Sequence, residues 1–91
     1  MNANDLKNRT KRFSVDMLRF LEKLPTKNPY QSINNQLCRA AMSVGANYRA
    51  TVRAKSTADF INKLKIVEEE CDECMFFLKC YKRFPKIIKM K

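Results

Sequence analysis

The apolar residues near the start of the chain recur at intervals of three and four, and so form one stripe of a helix. The stripe comprises Leu6, Phe13, Met17, Phe20, Leu21 and Leu24. It predicts a first helix over about residues 5–24. Asn4 or Asp5 can cap its start, and Pro25 ends it because the residue before a proline disfavours helical geometry.

A second stripe predicts a helix over about residues 30–53, after a short connection rich in proline. Its members are Ile33, Leu37, Ala40, Ala41, Val44, Tyr48 and Val52. Gly45, the only glycine, lies within this stripe among several alanines. A glycine inside a helix costs about 1 kcal/mol relative to alanine. A close helix crossing would compensate for that cost, and a turn at Gly45 is the alternative.

A third helix is predicted over about residues 57–84, followed by a basic tail over 85–91. Ser56 and Asp59 have the spacing of a capping box at its start. The main stripe is Phe60, Leu64, Val67, Cys71, Cys74, Met75 and Leu78. A flank of Ile66, Phe77 and Tyr81 widens the apolar surface, and we expect it to form an oligomer interface because no further helix of the chain covers it.

Residues 1–91 are therefore expected to form a single all-α domain, an antiparallel up-and-down helical bundle with three clear helices. The composition is 45% apolar, and the formal net charge is +10. Such a charge favours anionic partners, and nucleic acid ranks ahead of an anionic membrane. The opening MNANDLKNRTKRF has no apolar core of the kind that a signal peptide needs, and no stretch is long enough to cross a membrane. These features predict a cytoplasmic location and reduced thiols.

Few residues are suited to catalysis or to binding a metal ion. The chain has no histidine, which excludes Ser-His and Cys-His nucleophilic catalysis, and it has no glycine-rich phosphate loop. Cys71 and Cys74 have the C-x-x-C spacing of zinc and redox sites, but both fall on the apolar face of the third helix. Buried cysteine commonly acts as a small hydrophobic residue. We therefore expect core packing, no metal, no cofactor and no enzymatic activity.

The acidic residues are concentrated in the middle of the third helix. If the second and third helices run antiparallel, Arg39 comes level with Glu70 and Glu73, and a bidentate contact would fix their register. Ser43 and Asn47 lie on the same edge of the second helix as Arg39 and are expected to join this polar network. A metal-dependent or hydrolytic enzyme that uses Glu70 and Glu73 is the less favoured interpretation.

Basic residues form two groups that are candidates for contact with nucleic-acid phosphates. The first lies around the end of the second helix and the start of the third, and the other near the end of the third. The candidates are Arg49, Arg53, Lys55, Lys63, Lys82 and Arg83. Tyr48 or Tyr81 is available for stacking on bases. The alternative is an ordinary solvated surface.

The segment QLCRAAMSVGANYRATVRAKSTADFINKLKIVEEECDE, residues 36–73, resembles the four-helix-bundle protein family, also known from proteins encoded in intervening sequences of 23S ribosomal RNA genes. It is similar, too, to the accessory variability determinant of diversity-generating retroelements. The resemblance rests on a combination of positions: Gln36, Leu37, Arg39, Ser43, Val44, Ala46, Asn47, Tyr48, Arg49, Arg53, Ser56, Asp59, Phe60, Leu64, Glu70 and Glu73.

This resemblance implies an up-and-down bundle, often a ring-shaped pentamer with a basic surface. In the retroelement members the ring binds a reverse transcriptase and RNA. Two features depart from the family pattern: Ala50 stands where an acid is usual, and the fourth helix is expected to be short or missing. We therefore expect an oligomeric, non-enzymatic protein that binds nucleic acid, a nucleic-acid enzyme, or both. A structural protein-interaction module with no nucleic-acid role is the alternative.

Overall fold

The computed structural model describes residues 3–83, which form three helices. They are α1 (Ala3–Glu22), α2 (Tyr30–Thr51) and α3 (Thr57–Lys82). Both α1 and α3 pack against α2, and no Cα of α1 lies within 8 Å of a Cα of α3. The predicted all-α fold is confirmed, with α2 as its central helix.

The start of α1 differs from the prediction. Asn4 and Asp5 lie inside the helix, which already includes Ala3, so neither residue is the cap. Asp5 instead falls in the first turn, where its charge suits the positive end of the helix dipole. The predicted basic tail, residues 85–91, lies outside the described residues.

The core is built mainly from α2, whose predicted stripe is buried from Leu37 to Tyr48 because neighbours cover it on two sides. Val52, the last predicted member of the stripe, is 36% exposed because the helix has already ended at Thr51. Leu37, Ala40 and Ala41 are fully buried, and Val44 and Tyr48 nearly so. Outside α2, the buried apolar residues in the described chain are Met17, Leu24, Val67, Cys74 and Tyr81, of which Leu24 lies just after the end of α1. The stacking role considered for Tyr48 is therefore wrong, because a ring that is 4% exposed offers no face to a base.

The buried stripe of α3 is narrower than predicted. Phe60, Leu64 and Met75 were expected in the core, yet they are 39%, 39% and 51% exposed. The physical reason is that α3 packs mainly against α2 and meets α1 at the edge-to-face contact of the Tyr81 and Phe20 rings, and a single helix can cover only a narrow strip of its surface. An apolar surface this wide is therefore left partly in solvent.

Helices α1 and α2 come close together at Gly45. The Ser14 hydroxyl donates a hydrogen bond of 2.6 Å to the Ala41 carbonyl, which joins the two helices directly. A Cβ added to Gly45 would lie 3.0 Å from Ser14 Oγ and 3.5 Å from the Thr10 carbonyl oxygen. The close helix crossing is thus present, and Gly45 lies within a continuous helix rather than at a turn.

This contact predicts that the effect of Gly45→Ala depends on Ser14. In the parent chain we expect a loss of about 1 kcal/mol in the free energy of unfolding, because crowding of a hydrogen-bonded hydroxyl outweighs the gain in helix propensity. In a Ser14→Ala background the same change should stabilise by up to about 1 kcal/mol. Urea unfolding of the four proteins measures this coupling, and equal effects in both backgrounds would contradict it.

The cap at the start of α3 follows the predicted spacing. The Ser56 hydroxyl accepts a hydrogen bond of 3.1 Å from the Asp59 backbone N–H. In a full capping box the Asp59 carboxylate would accept a hydrogen bond from the Ser56 backbone N–H. Here it accepts instead from the backbone N–H of Lys55 at 3.1 Å and from Lys63 Nζ at 2.6 Å. The Lys63 contact, followed by that of Lys55, lowers the pKa of Asp59.

The other end of α3 is tied to the rest of the bundle by Tyr81. Its ring is 2% exposed, its hydroxyl donates to the side-chain carbonyl of Asn34, and Asn34 Nδ2 donates to the Pro25 carbonyl at 3.0 Å. Phe77 also packs against the core. Tyr81 is therefore too buried to contribute to the predicted oligomer interface, whereas Ile66 is 43% exposed and Phe77 is partly exposed, so for these two residues the interface stays a prediction. The stacking role considered for Tyr81 is excluded for the same reason.

The two cysteines of the C-x-x-C pair belong to the core. Cys74 is fully buried, and Cys71 packs at its edge. Burial, followed by the negative charges nearby, raises the pKa of Cys74 from 9.0 to about 11. In the part of the chain that the structure describes, no group of three acidic or cysteine side chains is placed to hold a metal ion.

Cys74 predicts a pH dependence of stability at alkaline pH. The raised pKa means that its contribution is complete below pH 9.0 and is lost as the pH rises towards about 11. Over that interval the loss amounts to roughly 3 kcal/mol. Cys74→Ala should be less stable than the parent at pH 8, and the difference should shrink towards pH 11 in urea unfolding. A constant difference, or stoichiometric zinc lost on replacing Cys71 and Cys74, would contradict the core assignment.

Candidate nucleic-acid interface

The most accessible basic residues near the end of α2 form a ridge of three residues, Arg49, Arg53 and Lys55. Arg49 lies in the last turn of α2. The helix ends at Thr51 and not at the predicted residue 53, so Arg53 lies in the turn that follows the helix, and Lys55 precedes the cap of α3. All three are exposed. None of them forms a salt bridge with a carboxylate in residues 3–83, so their charges are available to an anionic ligand.

Lys63, the fourth candidate in this region, has a different role. Its ammonium group donates to both carboxylate oxygens of Asp59, at 2.7 and 2.6 Å, one turn earlier on α3. The charge of Lys63 is thus largely compensated within the chain. The structure therefore gives Lys63 a structural contact and weakens its case as a phosphate ligand.

Lys82 and Arg83 lie at the opposite end of the bundle from the ridge. Both are exposed, and Arg83 caps the end of α3. At 1.5 Å per residue, Lys82 is about 28 Å along α3 from Lys63. The six predicted phosphate ligands therefore do not form one patch, and the two ends must be considered separately.

The polar contact between α2 and α3 centres on Arg39. One guanidinium nitrogen, Nη2, lies 2.6 Å from Glu73 Oε1, and Nη1 lies 3.4 Å from each oxygen of Glu70. The hydrogen bond to Glu73 is the main cause that raises the pKa of Arg39. Both glutamates are thus occupied in joining two helices.

Ser43 and Asn47 take no part in this contact. Neither side chain hydrogen-bonds to Arg39, Glu70 or Glu73 among the described residues, and Asn47 instead provides its backbone carbonyl to the Thr51 hydroxyl at 2.8 Å. The network is therefore smaller than predicted. Ser43 and Asn47 share an edge of α2 with Arg39, but they lie one and two turns further along the helix, about 6 and 12 Å from the level of the glutamates at 1.5 Å per residue.

A groove between α1 and α2 opens beside the ridge. It has a volume of about 320 Å³ and is lined by Lys11, Ser14, Val15, Met42, Gly45, Ala46 and Arg49. No residue of α3 lines it. Its floor is small and apolar because Gly45 and Ala46 leave space there, and two cationic side chains lie at its rim.

Lys11 is the site residue that sequence reasoning missed. It lies 38 positions before Arg49 in the chain, and only the crossing of α1 and α2 brings both residues to one groove. Lys11 is exposed and forms no salt bridge within the described residues. The basic surface therefore extends from the ridge across to α1.

Comparison with known proteins agrees with this arrangement of helices. The sequence pattern of the 23S rRNA-intervening sequence proteins matches residues 2–89. The chain belongs to this family. A crystal structure from Bacteroides thetaiotaomicron, described as a protein with unknown function from the S23 ribosomal protein family, is similar to it with 31% identity and a TM-score of 0.79. The similarity covers 96% of this chain and 78% of that one. No curated protein matches significantly.

In this member of the family, the residues that carry the family resemblance serve several purposes. Leu37 and Val44 are buried in the core, and Ser56 caps α3. Arg49 and Arg53 are different because they are exposed and make no ion pair within the described chain. Packing and capping therefore leave these two arginines unexplained. None of the described helices is both long and apolar enough to cross a membrane.

Proposed function

We propose that this protein is a non-enzymatic, oligomeric helical bundle that binds nucleic acid through the ridge. The observation that carries the proposal is the exposed, unpaired set of Arg49, Arg53 and Lys55, with Lys11 across the groove. Cations that lack an internal partner can neutralise phosphates and release condensed counterions. The family name, which refers to an RNA, favours RNA over DNA as the first ligand to test.

The proposal is tested by fluorescence anisotropy with labelled single-stranded and duplex RNA and DNA over a range of salt concentrations. We expect binding at low salt that weakens linearly on a logarithmic salt axis, as phosphate contacts require. Absence of binding at low salt would reject the proposal. It would favour the alternative, a protein-interaction module whose charge has no role in nucleic-acid binding.

A non-enzymatic role is supported by the state of the acidic residues. Glu70 and Glu73 are the candidates for acid-base or metal chemistry, and both are engaged with Arg39. A carboxylate held by a guanidinium is poorly placed to bind a cation or to accept a substrate proton. Metal analysis of the purified protein tests this part of the proposal, and stoichiometric metal would contradict it.

Self-association is supported by the apolar surface of α3. Ile61, Met75 and Phe76 are 47%, 51% and 61% exposed, and apolar side chains of this size tend to be covered by a partner. We expect light scattering at micromolar concentration to give a mass above that of one chain, and a monomer would contradict this. A ring such as a pentamer and a nucleic-acid enzyme such as a reverse transcriptase are the assembly and the partner that fit the resemblance.

A further inference from the structure

The groove between α1 and α2 offers an apolar surface, which the basic ridge lacks. Its walls include Val15 and Met42, its floor is Gly45 and Ala46, and its polar group at depth, the Ser14 hydroxyl, already donates to the Ala41 carbonyl. Met42 is 45% exposed, although it lies on a helix whose opposite face forms the core. The groove thus presents an open apolar surface next to a basic one.

We propose that this groove receives one unstacked base of a single-stranded nucleic acid, while Lys11 and Arg49 contact the phosphates on either side of that base. The inference rests on the proposed function and names the form of nucleic acid that the site takes. A nucleotide combines a flat ring, whose faces are apolar although its edges are polar, with an adjacent anionic phosphate. The groove offers the matching pair, an apolar slot with cations at its rim.

The size of the groove favours a base over a partner helix. A volume of about 320 Å³ is at the lower end of the range for small-molecule sites. On α1 the lining residues extend only from Lys11 to Val15, about 6 Å at 1.5 Å per residue. On α2 the lining is longer, from Met42 to Arg49, about 10 Å. A helix docked in a groove places anchors over i to i+7, about 10 Å, and so would contact the α1 wall over only part of that length, whereas a single base needs both walls only at one level.

The lining also predicts how selective the site is. Met42 can adapt to different rings and its sulfur makes favourable contacts with aromatic edges, whereas the deep hydroxyl of Ser14 is committed to α2. The floor therefore has no donor directed at a base edge. We infer recognition of an unpaired base with little preference for its identity, unlike readout by hydrogen bonding to the edges of bases.

The test compares the full chain with a variant in which the groove is filled, Ala46→Leu. Ala46 is exposed, so the larger side chain occupies the groove without entering the core. The ligands are labelled oligouridylate, the same backbone with abasic sites, and a duplex of equal length. We expect the parent to bind oligouridylate roughly five- to tenfold more tightly than the abasic strand. Ala46→Leu should lose this preference and keep the parent's salt dependence.

Ala58→Leu is the matched control, because Ala58 is another exposed helical alanine and does not line the groove. Met42→Ala is a second variant that removes a contact instead of adding bulk, and it should also reduce the preference for intact bases. Equal binding of intact and abasic strands by the parent would overturn the inference while leaving the proposed function intact. A change of oligomeric mass in Ala46→Leu without a change in base preference would overturn it in favour of a contact between chains. No binding of any strand at low salt would reject both.

Discussion

Leu37→Ala is expected to lower the free energy of unfolding by about 3 kcal/mol, the largest effect of any single substitution considered for this fold. Leu37 is fully buried on α2, the helix against which both others pack. Removing a buried leucine side chain forfeits its transfer free energy and leaves a cavity, which typically costs 2–5 kcal/mol, about 3 in the middle of the range. A domain of this length holds only about 5–14 kcal/mol in total.

Met42→Ala provides the matched control on the same helix. Met42 is 45% exposed, so its truncation should change stability by no more than about 0.5 kcal/mol. Urea unfolding followed by circular dichroism measures both variants. If the two substitutions had equal effects, α2 would not be the centre of the core.

The contrast between α2 and α3 explains which parts of the fold could be predicted from the sequence. Periodicity identified the buried face of α2 because neighbours on two sides cover the central part of its stripe, from Leu37 to Tyr48. The same reasoning overestimated burial on α3, where Phe60 and Met75 stay half in solvent. Periodicity reports which residues share a face but carries no information about how many neighbours cover that face.

Local contacts were predictable, and contacts between distant segments mostly were not. The Ser56 cap depends on a spacing of three residues and could be read directly. Antiparallel packing is enough to bring Arg39 level with Glu73, and their contact is present. The hydrogen bond of Tyr81 to Asn34 joins residues 47 positions apart, and no local pattern predicts it. For that reason the apolar pattern predicts an oligomer interface at Tyr81, although the residue belongs to the core.

The candidate site also has one part that the sequence predicts, the ridge, and one part that it does not, the groove. The exposed ridge followed from the sequence because Arg49 and Arg53 lie four residues apart and outside the apolar stripe of α2, although Arg53 lies in the turn after the helix and not within it. The groove did not, since it requires the distance and register of α1 against α2 that Ser14 and Gly45 set. A serine facing the only glycine of the chain was the available signal, but sequence alone does not show that the two meet.

The double substitution Arg49→Ala and Arg53→Ala should have the largest effect on function. For single strands, each neutralised phosphate contributes about −0.7 to the slope of log K, the binding constant, against log salt concentration. If each arginine neutralises one phosphate, the double variant should therefore have a slope that is less negative by about 1.4. If the parent and the double variant bind equally at 1 M salt, this difference in slope means that the variant binds about 25-fold more weakly than the parent at 0.1 M salt. In an oligomer the loss should be greater, because every subunit contributes its own ridge and the contacts act together.

Lys82→Ala with Arg83→Ala is the control for this double substitution, since it removes the same charge from the opposite end of the bundle. Both double variants should keep the thermal stability of the parent to within about 0.5 kcal/mol, because all four residues are exposed. A phosphate contact at the ridge requires that the Arg49 and Arg53 variant lose far more affinity than the control, by a similar factor for every base sequence. Equal losses in the two variants would mean that net charge, and not the ridge, attracts the nucleic acid. Unchanged affinity in the Arg49 and Arg53 variant would remove the ridge from the mechanism altogether.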